Sequence, residues 1–313
     1  MVKGYRIMYD LILELASKCA ASGCEDDIRR YLEDKLSSLE IEYDAHKTLI
    51  AHKKGKSSPV AIVCGMDVPS LFITHIEDSG YTRFATLGVD HKKLSGLPVR
   101  LQNGSRGCIW CEKDKDEMTD MFIDFGENTA KEAEPALIDM PPYKRGNLIS
   151  GFALGNYAAQ AAVIESALFD SERDAYFVFL SRSQLGKFST GFMKMLPENT
   201  EYICVEKSDS NDFPGEKTVI TGVGGGVCLR MMDKSLMPSR SMIEKALTFS
   251  ESVRITKEVS KRNGIGGNLQ MASGGANVIS LGVPARYCDE ICETVSIDDI
   301  KETAKLLIKF LEV

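Results

Sequence analysis

The sequence predicts an α/β protein whose mostly parallel sheet is flanked by helices and interrupted by a β-rich insertion. Three observations support this fold class. Apolar runs such as Val60–Cys64 and Ala175–Leu180 are typical of parallel strands that are buried on both faces. Helical segments alternate with these runs, as expected for strands joined by helical crossovers. Between residues 71 and 149, by contrast, short β-like runs alternate with turn residues.

The segment before the insertion is predicted to hold two helices and three strands. Apolar residues at helical spacing predict a helix over residues 7–16. Ser22-Gly23-Cys24-Glu25 has the pattern of a capping box, which would begin a second helix. Strands are predicted at residues 41–43, 49–51 and 60–64.

The β-rich insertion is predicted to form a separate domain at residues 69–148. Leu71–Ile76 and Tyr81–Ala85 flank Glu77-Asp78-Ser79-Gly80, which is a hairpin signature. Further strands are predicted at residues 97–101, 107–111 and 121–125. A length of about 80 residues is a plausible domain size. Residues 1–68 and 149–313 would then form one discontinuous α/β domain.

After residue 151 the alternation of helices and strands resumes. Helices are predicted at residues 153–169, 192–196, 238–249 and 300–311. Pro238 would lie in the first turn of its helix. Strands are predicted at residues 175–180, 202–205, 227–231 and 278–281. Gly222–Gly226 is interpreted as a flexible turn, because it runs into a strand and not into the helix N-terminus that a phosphate-binding loop requires.

Composition describes an ordinary globular chain and excludes some partner classes. The 313 residues are 43% hydrophobic and 27% charged, with a net charge of −7, so no nucleic-acid partner is expected. The sequence has no apolar run of the roughly 20 residues that span a membrane, so no membrane partner is expected. The amphipathic first segment does not resemble a signal peptide. A cytoplasmic location with reduced thiols is therefore expected.

Nine cysteines are present, and one pair has a suggestive spacing. Cys108 and Cys111 form a CxxC pair on a predicted strand, where residues three apart point to opposite faces. A structural zinc site would also need a second pair of ligands. Structural cysteines are therefore favoured, and a redox or metal role is the alternative.

The insertion begins directly after Met66-Asp67, Pro214-Gly215 follows a strand that ends in a carboxylate, and Gly282–Tyr287 follows another strand. With these features, and with the segment Thr74–Ala85, the sequence resembles the tetrahedral glutamyl/deblocking aminopeptidases, metallopeptidase family 42. The resemblance covers nearly the whole chain. It implies a zinc-peptidase-like α/β fold with an inserted PDZ-like β-barrel. It also implies dimers that assemble into a hollow dodecamer.

The resembled family holds two divalent metals, bridged by an aspartate and by the water that attacks the substrate. The resemblance places the family's metal ligands at five positions of this chain and its catalytic base at a sixth. The ligand positions are Gly65, Ala153, Gln184, Glu206 and Asp289, and the base position is Ser183. Only Asp67 is identical to the family residue, which in the family orients the histidine that is missing at Gly65.

These substitutions remove the groups that two-metal hydrolysis needs. A catalytic zinc takes about three protein ligands, often including imidazole. Ser183 cannot accept a proton from water at neutral pH as a glutamate would. No cofactor is therefore expected, or at most a divalent cation weakly bound by Gln184, Glu206 and Asp289.

The carboxylates that remain, Asp67, Glu206 and Asp289, have two further interpretations. They are expected to be solvated in a former active-site cleft, since such groups avoid unpaired burial. Alternatively, Lys207 or Arg182 pairs with Glu206 or Asp289 and fills the space that metal would take.

The functional interpretation is a family relative that has lost two-metal peptidase activity. It would act as a peptide-binding or regulatory subunit, with a peptide or a small molecule as ligand. It would form homo-oligomers, dimeric or larger, or assemble with an active paralogue. One alternative is an active metal-dependent aminopeptidase with a non-standard ligand set. Another is a hydrolase with Cys64 or Ser183 as nucleophile, although the sequence places no histidine near either.

Overall fold

A computed structural model describes residues 2–126, 130–215, 219–272 and 275–313 of the chain. The helices are α1 (Val2–Ser17), α2 (Asp26–Lys35), α3 (Leu154–Ala167), α4 (Arg240–Thr248), α5 (Ile265–Gln270) and α6 (Ile297–Leu311). The strands are β1 (Glu40–Tyr43), β2 (Leu49–Lys53), β3 (Val60–Gly65), β4 (Ser70–Ile76), β5 (Thr82–Leu87), β6 (Pro98–Leu101), β7 (Arg106–Cys111), β8 (Met121–Asp124), β9 (Pro135–Ile138), β10 (Tyr143–Arg145), β11 (Leu148–Gly151), β12 (Ala175–Leu180), β13 (Glu201–Ser210), β14 (Val227–Met232), β15 (Ile255–Val259), β16 (Val278–Arg286) and β17 (Glu293–Ser296).

The large sheet has a parallel centre. Strands β12, β3, β13 and β16 are neighbours and run in the same direction. Antiparallel strands extend the sheet on both sides of this centre. The apolar runs Val60–Cys64 and Ala175–Leu180 lie in the centre, as predicted. The predicted α/β fold with flanking helices and an inserted barrel is confirmed.

Both faces of the central strands are covered by apolar side chains. In β3, Ile62 and Cys64 belong to one core, whereas Ala61 and Val63 belong to a second, smaller core on the other face. Helices α3 and α6 pack against each other and against the sheet on the side of the first core. Burial on both faces explains why these strands appear in the sequence as continuous apolar runs.

Six antiparallel strands form the inserted barrel, which closes in the order β4-β5-β8-β7-β6-β9. The predicted hairpin is the pair β4–β5. Strand β9 is absent from the sequence-based assignment, and it closes the barrel by pairing with β4 and β6. The barrel strands extend from Ser70 to Ile138. The assignment of residues 69–148 to a separate domain stays a prediction.

Some predicted details differ from the structure. Ser22 and Glu25 do not form a capping box, because α2 begins at Asp26 and its N-cap Glu25 makes no side-chain cap bond. Pro238 precedes the N-cap of α4 and so lies outside its first turn. Strands β10, β11, β15 and β17 and helix α5 are absent from the sequence-based assignment. Most of them have five residues or fewer, too short for a periodic pattern.

Gly222–Gly226 forms a turn that leads into β14, as predicted, but the turn is held in place. Gly224 N and Gly226 N donate hydrogen bonds to the Asp299 carboxylate of α6 at 2.6 and 2.8 Å. Burial raises the pKa of this carboxyl group to about 6. The N–H groups of the turn are thus already bound to an anionic side chain of the same molecule.

Cys108 and Cys111 lie on β7, on a strand as predicted, and neither is in a disulfide. The Cys111 thiol donates to Lys115 O at 3.1 Å. Among the described residues, no helix has the length and apolar character needed to cross a bilayer.

Candidate functional site

A cleft of about 340 Å³ lies at the carboxyl ends of the central parallel strands. Gly65 at the end of β3 pairs with Leu180 at the end of β12. Cys204 of β13 pairs with Val63, so Glu206 lies at the level of Gly65. Open α/β sheets bind ligands outside the carboxyl ends of their strands. The cleft is therefore the candidate site.

Five of the predicted site positions line this cleft. They are Gly65, Ser183, Gln184, Glu206 and Asp289. Ala153, the N-cap of α3, lies in an adjoining narrow recess beside Glu293. Asp67 is fully buried. The roles that the resemblance assigns to these positions stay predictions, but the fold does bring the positions together.

A first group at the cleft, the serine half, consists of Ser183 and Gln184, which line it, and of the buried Ser22 and Asp67, which bind them or each other. Asp67 accepts hydrogen bonds from the hydroxyls of Ser22 and Ser183. It also accepts from Ser183 N at 2.8 Å and from Gln184 N at 3.0 Å. By accepting these hydrogen bonds, Asp67 holds the 3₁₀ turn that begins at Ser183. All four donors are neutral groups. Burial nevertheless raises the pKa of the Asp67 carboxyl group.

A second buried carboxylate supports the same turn. Glu25 accepts hydrogen bonds from Ser181 Oγ at 3.0 Å and from Arg182 N at 2.8 Å. The two residues that resemble a capping box in the sequence, Ser22 and Glu25, therefore bind groups at the cleft instead of the start of α2. Residues 181–184 are fixed from two sides.

Gly65 and Ser183 fit each other sterically. A Cβ atom added at Gly65 would overlap Ser183 Oγ and would lie 3.0 Å from Ser183 Cβ. Ser183 therefore occupies the space into which a side chain at position 65 would extend. A side chain at position 65 therefore cannot be accommodated unless the Ser183 side chain moves.

A second group at the cleft, the ionic half, is rich in charged side chains. Its members that line the cleft are Glu206, Lys207, Arg230, Arg262 and Asp289. The buried Glu293 completes the group. Lys207 Nζ lies 2.7 Å from Glu293 Oε1 and 3.0 Å from Asp289 Oδ1. The second oxygen of the buried Glu293 accepts Gly155 N at 2.7 Å. Glu293 thus caps α3, whose N-cap residue Ala153 has no capping side chain.

Charge attraction outweighs burial in this group. Burial disfavours the charged form of Lys207, but Glu293 and Asp289 raise its pKa. Burial also disfavours the charged form of Asp289, but Lys207 and Arg262 lower its pKa. Arg262 lies 2.6 Å from Asp289 and 2.6 Å from Asp209. These groups therefore remain charged at neutral pH.

Arg230 is the most buried cation of the ionic half, with a side chain 1% exposed. Its NH1 lies 2.6 Å from Glu206 Oε1, and the guanidinium also lies 3.6 Å from Asp233 and 3.7 Å from Glu258. Ser280 Oγ donates to the same Glu206 oxygen at 2.7 Å. The charge of Glu206 is therefore neutralised by the chain itself.

Four strained backbone positions lie at or next to the cleft. Ala153, Arg182, Tyr287 and Asp289 have φ angles of 54°, 60°, 60° and 63°. Positive φ is uncommon for residues other than glycine, and strained positions cluster at functional sites. These four positions therefore support the cleft as the candidate site.

The structure corrects some of the expectations about these side chains. Asp67 and Glu206 are not solvated, since both are largely buried and hydrogen-bonded within the chain. Arg182 does not pair with Glu206 or Asp289; its NH1 lies 3.2 Å from His46 Nδ1 instead. Lys207 does pair with Asp289, and this part of the hypothesis is confirmed.

The candidate nucleophiles differ in their surroundings. Cys64 is fully buried, and burial raises the pKa of its thiol, so it cannot act as a thiolate nucleophile at neutral pH. Ser183 lines the cleft, but its hydroxyl donates to Asp67 and not to a histidine. Neither residue has the nucleophile–histidine arrangement of an acyl-transfer site.

Sequence reasoning missed three residues of the ionic half: Arg230, Arg262 and Glu293. The sequence does contain a signal for Arg230, because it is the one charged residue in the apolar run Val227–Met232. A charge inside a buried strand needs a charged or polar partner. Arg262 and Glu293 have no distinctive spacing in the sequence. Arg262 reaches the cleft beside Asp209 of β13. Glu293 reaches it because β17 pairs with β16, which lies next to β13.

The side chains at the cleft do not fit the pair of divalent metals that the resemblance implies. In the parts of the chain that the structure describes, no group of three His, Cys, Asp or Glu side chains is arranged to hold a metal ion. Glu206 and Asp289 each contact a different side-chain cation. Ala153 has no oxygen in its side chain that could bridge two metals.

Known proteins match the chain along most of its length. Residues 48–306 match the M42 glutamyl aminopeptidase family. A protein of Acetivibrio thermocellus with a provisional aminopeptidase name is 26% identical, over 96% of this chain and 98% of its own length.

Two solved structures have the same fold. Aminopeptidase APDkam598 of Desulfurococcus kamchatkensis has a TM-score of 0.91 at 22% identity, over 98% of this chain and 95% of its own. The TET1 peptidase of Pyrococcus horikoshii, which can assemble into a tetrahedron or a large octahedral shell, has a TM-score of 0.85 at 20% identity. This match covers 97% of this chain and 99% of the peptidase.

Proposed function

This chain belongs to the M42 glutamyl aminopeptidase family, and we propose that its cleft binds peptides without two-metal cleavage of the amide bond. The observation that carries the proposal is the ionic half, in which Lys207 and Arg230 neutralise Asp289 and Glu206. The position of the family's catalytic base is Ser183, whose hydroxyl is bound to Asp67. A serine there cannot take a proton from water.

Family membership corrects the expectation of no cofactor. The resembled family uses two divalent metals, and the match over residues 48–306 places the chain in that family. The expectation that no cofactor, or only a weakly bound cation, accompanies this sequence is therefore wrong. Because the side chains of the cleft do not fit such a centre, the proposal has to be tested with metals present.

Three features support a peptide as the ligand. The relatives carry aminopeptidase names, and aminopeptidases act on peptides. The cleft volume of about 340 Å³ is within the range of small-ligand sites. The walls combine polar side chains with the apolar Phe188 and Ile265. This combination suits a ligand with a polar main chain and apolar side chains.

Calorimetric titration with short peptides tests the proposal, in the presence and absence of Zn²⁺, Co²⁺ or Mn²⁺. We expect saturable binding, followed by recovery of the peptide at its original mass. A complete lack of binding would contradict the proposal. Loss of the N-terminal residue that depends on added metal would also contradict it.

The family match favours a second candidate, an active metal-dependent aminopeptidase with a non-standard ligand set. For metal to bind at the family positions, Lys207 and Arg230 would have to leave Asp289 and Glu206. An aminoacyl-p-nitroanilide assay with each added metal separates the two candidates. Turnover that a chelator abolishes supports the second candidate, and absence of turnover supports the first.

We further propose that the chain self-associates as a dimer or larger homo-oligomer. The assembly of the similar TET1 peptidase supports this. Size-exclusion chromatography with light scattering tests it, and a monomer at all concentrations would contradict it. A regulatory role, a small-molecule ligand, an active paralogue as partner and a cytoplasmic location stay predictions.

A further inference from the structure

We propose that the cleft binds the main chain of a peptide through its side-chain amides, above all those of Asn156 and Asn263. The inference rests on the proposed function and adds to it the chemical group that is recognised. That group is the uncharged peptide unit, and not a charged end of the ligand. The residues that would bind it lie on α3 and on the segment between β15 and α5.

Four amide side chains line the cleft: Asn156, Gln184, Asn263 and Asn268. Two of them are bound within the chain, since Gln184 Nε2 donates to Asp67 O at 3.3 Å and Asn268 Nδ2 donates to Gly186 O at 3.0 Å. Asn156 Oδ1 is buried and has no hydrogen-bond partner among the described residues. Asn263 is exposed at the wall of the cleft, and its carboxamide makes no hydrogen bond to another described residue.

An unpaired buried amide is unfavourable and therefore informative. Most buried polar groups in native proteins have hydrogen-bond partners, and those that do not call for an explanation. Asn156 is held in the first turn of α3, where its own N–H donates to Ala153 O at 3.1 Å. The Glu293 carboxylate fixes the preceding N–H of Gly155. The backbone that carries the Asn156 side chain is therefore fixed before any ligand binds.

The charges of the cleft do not favour a charged ligand group. Lys207 contacts two carboxylates, and Arg230 contacts Glu206. A ligand carboxylate or ammonium would have to displace these internal partners. A carboxamide offers one acceptor and two donors, which match the N–H and C=O groups of a peptide unit. The two free amides are thus the groups best suited to bind a ligand without breaking existing ion pairs.

The experiment uses acetyl-tetraalanine amide, a peptide with both ends blocked, and measures its affinity for the full chain by calorimetry. We expect it to bind within about threefold of free tetraalanine, a difference of less than one hydrogen bond. The variants N156A and N263A should each weaken binding by about 5–10-fold, the effect of one lost hydrogen bond. The matched control is N199A, whose asparagine is exposed and lies outside the cleft. It should bind as wild type does.

A second measurement needs no variant protein. N-methylation of one central alanine removes a main-chain N–H from the ligand, and it should weaken binding to the wild-type chain. Unchanged binding to N156A, N263A and the methylated peptide would overturn the inference while leaving peptide binding intact. Loss of binding on acetylation of the free peptide would overturn it in favour of a charged terminus. If no peptide binds to the wild-type chain, the proposed function itself fails, and this inference fails with it.

Discussion

The serine half and the ionic half of the cleft stabilise their carboxylates by different means. In the serine half, Asp67 is fully buried and accepts hydrogen bonds from neutral hydroxyl and N–H groups. In the ionic half, Glu206 and Asp289 contact Arg230 and Lys207. Each of these carboxylates is therefore stabilised by groups close to it. Neutral donors bind Asp67, and side-chain cations bind Glu206 and Asp289.

The two halves should therefore respond differently to substitution. Removing a cation from the ionic half leaves buried carboxylates without a counter-charge, which is strongly destabilising. A substitution in the serine half changes steric fit, or it changes a hydrogen bond between Asp67 and a neutral group. It leaves no pair of opposite charges broken, so a smaller loss of stability is expected. The losses in the free energy of unfolding test whether the two halves differ in this way.

The largest effect is expected for R230M. Arg230 is buried against Glu206, Asp233 and Glu258, so its loss should lower the free energy of unfolding by about 3–5 kcal/mol. Urea denaturation measures the change. The matched control is R240M, because Arg240 pairs with Glu244 on the surface and should cost no more than about 1 kcal/mol. Equal losses in the two variants would show that the buried cation is not needed.

The next effect is expected for K207M. Lys207 contacts the buried Glu293 and the half-exposed Asp289, so the free energy of unfolding should fall by about 2–3 kcal/mol, less than for a fully buried pair. K207M/E293Q should be more stable than K207M, since the second change removes the unpaired buried charge. The surface variant K93M, which breaks the exposed pair with Glu290, serves as control. A double variant less stable than K207M speaks against this pairing.

A smaller effect is expected in the serine half for G65A. The added methyl group overlaps Ser183 Oγ, so the free energy of unfolding should fall by about 1–3 kcal/mol, as in other overpacked sites. S183G removes the overlapping oxygen and also its hydrogen bond to Asp67, so the test compares the cost of G65A in wild type with its cost in the S183G background, where it should be smaller. Thermal and urea unfolding of wild type, G65A, S183G and G65A/S183G measure the two costs. Equal costs would mean that Gly65 is required for another reason.

The smallest effect is a pH trend in D67N. Burial raises the pKa of Asp67 above its ordinary value of 3.8, so the folded state binds this proton more tightly than the unfolded state. The stability that Asp67 contributes is then fully present below pH 3.8 and is lost as pH rises through its folded-state pKa. The stability of wild type relative to D67N should therefore fall over this interval. Urea denaturation at several pH values measures the difference, and a rise with pH would contradict the assignment.

The sequence was sufficient to predict the fold because its central strands have a strong pattern. Ala175–Leu180 was predicted with its observed bounds, since burial on both faces produces a continuous apolar run. Short strands such as Glu293–Ser296 were missed, because four buried residues of mixed polarity show no period. Strand β9 was missed because its four residues, all apolar, are too few to show a period.

The site could be predicted only in part. The family resemblance predicts roles for Glu206 and Asp289, which stay predictions, although both residues line the cleft. Lys207 is predicted as a possible partner and does contact Asp289. The pairing of Arg230 with Glu206 depends on β14 lying antiparallel to β16, which in turn lies beside β13. Such a contact between distant segments is set by strand order, and a single sequence does not contain the strand order.

The most direct test of peptide binding without cleavage follows one unblocked peptide by mass spectrometry. The wild-type chain is incubated with the peptide and with Zn²⁺, Co²⁺ or Mn²⁺ at concentrations where calorimetry shows the peptide to be bound. We expect the bound peptide to keep its full mass under every metal condition. Stepwise loss of N-terminal residues that requires metal and stops on chelation would contradict the proposal and establish the chain as an active aminopeptidase.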